Sequence, residues 1–142
     1  MAGKNKDRIT RMKTSFLLIN GSRDCYWRQE LQEALSPLGS VAIAKEREAL
    51  SRVQQDQYDV IIVDATVVTG AAELASRIRQ TRPGARIVIA TTSPTWQRAR
   101  EAYHAGAIDY IRKTLVHEEL LATFRDVLRK KPAPWPSGFA GR

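Results

Sequence analysis

Tyr58-Asp59-Val60-Ile61-Ile62-Val63-Asp64 constrains this chain more than any other stretch. Val60 to Val63 are consecutive β-branched residues with no polar interruption, the pattern of a strand buried on both faces, as in a parallel sheet covered by helices. Asp64 follows at the point where that strand stops. In open α/β sheets, ligands and chemistry collect beyond the carboxyl ends of the strands, so an acid placed there is a candidate site. The plainer reading of the same residue is a polar strand terminator.

Similar runs recur on both sides. Ser15-Phe16-Leu17-Leu18-Ile19 and Arg86-Ile87-Val88-Ile89-Ala90-Thr91 read as buried strands, Val41-Ala42-Ile43-Ala44 as a short one, and Ile108-Asp109-Tyr110-Ile111-Arg112-Lys113 as the last. Between them, apolar residues return at helical spacing. Trp27, Leu31, Leu35 and Leu38 follow a cap at Asp24; Ala49, Leu50 and Val53 mark a helix over 46–55; Leu74 and Ile78 mark one over 71–80. Ser93 as cap and Pro94 at the first helical position open a helix that Gly106 closes, and Leu120, Leu121, Phe124, Val127 and Leu128 line a strongly amphipathic helix over 118–130. Five strands alternating with five helices over short loops predict one α/β domain, a flavodoxin-like doubly wound five-stranded parallel sheet with right-handed crossovers. On that topology Asn20-Gly21, Asp64, Thr91 and Lys113 share one edge.

Charge and composition decide what surrounds this core. The chain has 142 residues and a net charge of +8. Five basic residues and one acid precede residue 14, and five basic residues and one acid follow residue 124, so the whole excess sits at the two ends. Charge held in the ends argues for solvated tails, with nucleic-acid binding the lesser alternative. Residues 1–13 therefore read as a basic arm, 14–131 as the domain, and 132–142, rich in proline with Trp135 and Phe139, as an extended tail whose removal leaves the fold unchanged. No apolar run reaches the roughly 18 residues of a membrane span, and the single cysteine, Cys25, allows no internal disulfide, so a cytoplasmic protein is expected. His104 and His117 stand apart from one another, and no nucleophile–His or paired acid–base constellation occurs, so a catalytic site of the enzyme type is not expected.

Together, Tyr58 to Asp64, Thr91 and the stretch Ala102-Tyr103-His104-Ala105-Gly106-Ala107-Ile108-Asp109-Tyr110-Ile111-Arg112-Lys113 resemble the receiver domains of bacterial two-component response regulators, over residues 14–131. The resemblance implies a phosphorelay signalling module that meets a histidine kinase or another signalling protein. Asp64 would be the phosphoacceptor, Lys113 and Thr91 would contact the phosphoryl group, and Tyr110 would be the aromatic switch position. Receivers normally follow the first strand with two acids that hold Mg²⁺, whereas this chain has Asn20 and Gly21 there. Any Mg²⁺ would be held weakly, through Asp64 and Asn20, and Asp24 suits a helix cap better than a replacement ligand.

Phosphoryl transfer depends on positioning and charge neutralisation, so this loss points to a divergent receiver with weak or absent phosphorylation, acting mainly through protein contacts. Thr114 replaces the family's proline after the lysine. A Lys113-Thr114 bond would cost about 2.5–4 kcal/mol in cis, so a trans bond with a changed aim for Lys113 is expected. The face of the fourth helix, fifth strand and fifth helix would carry Arg98, Arg100, Glu101, Asp109, Arg112, Glu119 and Arg125, and its mixed charge suits a weak homodimer. The alternatives are a regulator that uses its basic ends on nucleic acid, and an unrelated flavodoxin-like domain that binds a small anion or nucleotide.

Overall fold

The computed structural model describes residues 13–20 and 26–134. The basic arm up to residue 12, Gly21, Asp24, Cys25, Trp135 and Phe139 lie outside the described residues. In chain order the elements are β1 (Thr14–Ile19), α1 (Tyr26–Leu35), β2 (Gly39–Ala44), a 3₁₀ turn (Glu46–Glu48), α2 (Ala49–Gln55), β3 (Val60–Asp64), α3 (Ala71–Thr81), β4 (Ile87–Thr91), α4 (Trp96–His104), β5 (Asp109–Arg112) and α5 (His117–Arg129). The sheet runs β2-β1-β3-β4-β5 with every neighbouring pair parallel.

Every residue of β3 and β4 is buried, as their unbroken apolar runs require of central strands covered on both sides. Alternate residues feed two cores. Leu17, Ile19, Ile61, Val63, Ile87 and Ile89 face α2, α3 and α4. Phe16, Leu18, Val60, Ile62 and Val88 face α1 and α5, where the Phe16 and Phe124 rings meet edge-on at 5.9 Å.

Some boundaries differ from those read in the sequence. Thr95, not Ser93, caps α4: its backbone is extended and its hydroxyl accepts the Arg98 N–H, so the helix begins at Trp96, beyond Pro94. The polar segment after β2 opens as a 3₁₀ turn before it becomes α2. His117 is the first residue of α5, not part of the preceding loop. At the end of α4, Gly106 takes a φ of 103°, a left-handed conformation that only glycine adopts without cost. Beyond α5 the chain stays in contact with the domain through residue 133, because Arg79, buried in α3, donates to Gly106 O at 2.9 Å and to Ala133 O.

Candidate functional site

The carboxyl ends of β1, β3 and β5 meet at Asp64. Its side chain is fully buried, and both oxygens are engaged. Lys113 Nζ lies 2.6 Å from Oδ2, the Asn20 amide donates to the same Oδ2 at 2.8 Å, and the Thr66 N–H donates to Oδ1 at 3.0 Å. A carboxylate this deep is tolerable only because a cation and neutral donors surround it. The parallel register explains the convergence, since Ile19 pairs with Val63 on β1 and β3, and Asp64 with Ala90 on β3 and β4.

Lys113 is aimed by the first helix as well as by its own strand. Its ammonium sits 5.0 Å from the centre of the Trp27 ring, and Trp27 Nε1 donates to Thr114 O at 3.0 Å. The Lys113-Thr114 bond is trans, as are all described peptide bonds. Thr114 nonetheless holds the loop, since its hydroxyl accepts the Val116 N–H and donates to Glu119, and Lys113 reaches Asp64 directly. With the expected trans bond, the Lys113 ammonium still contacts the Asp64 carboxylate. These hydrogen bonds restrain the loop that follows Lys113.

Thr91 and Tyr110 stand one step away from the carboxylate. Thr91 is buried at the end of β4, with its hydroxyl accepting the Ser93 N–H and its carbonyl accepting the Lys113 N–H. Tyr110 packs against the core cluster beneath α3 and α4, and its hydroxyl accepts the Thr95 N–H at 3.4 Å. Both residues line a cavity of about 320 Å³ between the β3–α3 loop and α4, together with Ala65, Val68, Ile89 and Ala102. Thr66 and Trp27 were missed in the sequence. Thr66 lies in a loop without periodicity and acts partly through its backbone, while Trp27 has the spacing of an ordinary core residue, a pattern that its polar Nε1 does not alter.

The described residues fit Mg²⁺ poorly. Mg²⁺ requires an octahedral set of hard oxygens, usually with one or two carboxylates in it. Here Asp64 Oδ2 already takes an ammonium and an amide, Oδ1 takes a backbone N–H, and Asn20 brings an amide where a carboxylate would be needed. The cluster of metal-ligating side chains found among the described residues lies elsewhere, at Glu30, Glu33 and His117.

On the face of α4, β5 and α5, Arg98, Glu101, Arg112 and Glu119 are exposed and Asp109 is partly covered. Asp109 on β5 and Glu119 on α5 already have partners. Asp109 accepts the Tyr103 hydroxyl at 3.2 Å and lies 3.7 Å from Lys130, and Glu119 accepts Thr114 Oγ1. Burial works against the charge of Lys130, but Asp109 and Asp126 outweigh it and hold the ammonium above its ordinary value. Burial, followed by Asp109, pushes the Tyr103 hydroxyl up as well. Among the described residues no helix is long and apolar enough to cross a membrane.

Residues 26–125 match the response regulator receiver domain. The response regulator MprA of Mycolicibacterium vanbaalenii is 32% identical over 122 residues, covering 84% of this chain and 52% of that protein. The chain thus spans about half the length of the curated relatives it matches. Among solved structures, a response regulator from Thermotoga maritima superposes with a TM-score of 0.74 at 22% identity, covering 83% of this chain and 99% of that one. A two-component response regulator from Clostridium difficile gives 0.69 at 28% identity, covering 83% and 98%.

Proposed function

The chain belongs to the response regulator receiver domain family, and from that premise we propose that it is a divergent receiver that signals mainly by binding partner proteins, with phosphorylation of Asp64 slow or absent. Asn20 carries this reading. Where the family resemblance implies a metal-binding acid, an amide donates to Asp64 Oδ2 at 2.8 Å. Lys113 occupies the same oxygen. Phosphoryl transfer relies on a metal to neutralise the charge that develops, and an amide donor in place of an acid does not favour one. Response regulators interact with histidine kinases and other signalling proteins, so binding outlasts the loss of chemistry.

The test is intact-mass spectrometry after incubation with a small phosphodonor and Mg²⁺. The native chain should gain little adduct. Asn20→Asp, which replaces the donor with a metal ligand, should phosphorylate at least about tenfold faster, since one well-placed charge is worth that much in a transition state. Rapid, near-complete modification of native Asp64 would overturn the reading.

The same reading includes a weak homodimer that needs no phosphodonor, through the face of α4, β5 and α5. Because Asp109 and Glu119 are engaged within the chain, reciprocal pairs fall mainly to Glu101 with Arg98 and Arg112. Sedimentation should show a dimer that Arg112→Asp weakens, and a strictly monomeric native chain at high concentration would remove this surface.

A further inference from the structure

Away from the Asp64 edge, packing of α1 against α5 brings Glu30, Glu33 and His117 together, with ligand atoms within 4.8 Å of one another. Glu30 and Glu33 are three residues apart on one helix and so share a face. His117 arrives from the first position of α5. Its Nε2 lies 3.5 Å from Glu30 Oε1. That separation exceeds the ~2.9 Å of a good N–H···O hydrogen bond. It is close to the edge, about 3.4 Å, of a tetrahedron built on Zn–N and Zn–O bonds of about 2.0–2.2 Å.

Exposure and charge fit the same geometry. The His117 side chain is 41% exposed and that of Glu30 22%, while Glu33 is exposed, so an ion can enter and water can complete its shell. Two carboxylates and a neutral imidazole match a dication. Glu118 and Glu119 in the first turn of α5 offset the positive end of that helix. An imidazole in the set selects Zn²⁺, Co²⁺ or Ni²⁺ over Mg²⁺, which prefers oxygen alone.

We infer that Glu30, Glu33 and His117 form a surface site for Zn²⁺ or a similar transition-metal dication, linking α1 to the start of α5. The site is independent of phosphoryl chemistry but is joined to the Asp64 edge. Trp27, three residues before Glu30, bonds Thr114 O and carries the Lys113 ammonium on its ring. A bound ion therefore clamps the two segments that aim Lys113.

The test uses the full chain with Cys25→Ser, which removes its only thiol. Zn²⁺ is titrated in competition with a chromophoric chelator, and Co²⁺ binding is followed by its visible absorption. One Zn²⁺ per chain is expected, undisturbed by excess Mg²⁺ and by His104→Gln. Glu33→Gln and His117→Gln should each weaken binding at least about tenfold, and His117→Gln should abolish the Co²⁺ spectrum. Glu33 is exposed, so its variant tests the site without threatening the fold. Failure to bind Zn²⁺ stoichiometrically, binding that neither variant weakens, or a loss that follows His104→Gln would overturn the site.

Discussion

At the scale of single residues, the Asp64 edge is a balance of charge in a closed space. Asp64 is fully buried and the Lys113 side chain is 9% exposed, so their ion pair is screened little by water. Removing one partner of such a pair leaves an uncompensated charge, whereas removing both does not. Lys113→Met should therefore lower stability by about 3 kcal/mol, and adding Asp64→Asn should recover much of that loss. Chemical denaturation of the two single variants and the double variant measures the coupling, and strictly additive losses would contradict it. Asp64, Lys113 and Asn20 were legible as neighbours because each ends a strand of one parallel sheet. What Asn20 does there was not legible. The sequence marks it as a missing acid, and only the Asp64 contact makes it a donor.

At the scale of elements, the strands were read closely and the helix starts less so. A buried β-branched run has few alternatives, while a cap is chosen by local geometry among several competent hydroxyls, here Thr95 over Ser93. The edge strand β2 contains a constraint that neither spacing nor hydrophobicity announces. Gly39 pairs with Thr14, and a Cβ built on it would lie 1.7 Å from Thr14 O. That oxygen belongs to backbone and cannot swing away. Gly39→Ala should cost about 3 kcal/mol by forcing β1 and β2 apart, seen as a large drop in thermal midpoint. A midpoint within a degree or two of the native value would show that the edge strand yields freely. The comparison position is Gly84, where an added Cβ meets nothing within 4 Å, so Gly84→Ala should be benign.

For the whole molecule, the C-terminal segment joins the domain more firmly than its composition suggests. Arg79 is 2% exposed, and Ala133 O is one of its acceptors; Arg86 Nε donates to Lys130 O at 2.9 Å along the same route. Deleting residues 132–142 removes an acceptor from a buried guanidinium and should cost about 1–2 kcal/mol. Truncation after Pro134 keeps that acceptor and should retain most of this stability. Equal thermal midpoints for the full chain and the 1–131 chain would show that the Arg79 contact contributes nothing.

Local sequence patterns specify the order of elements, the parallel sheet and the edge where Asp64, Thr91 and Lys113 gather. Runs of β-branched residues and helical spacing are short-range signals, and the right-handed crossover leaves little freedom in assembling them. The packing of elements sets which groups meet across that assembly: Asn20 as a donor to Asp64, Trp27 beneath Lys113, Arg79 on Ala133 and His117 beside Glu30. Each of these contacts joins residues 44 or more positions apart, and each depends on the direction of one side chain. Periodicity fixes the face on which a residue lies, but the atom it touches is set only when two elements pack.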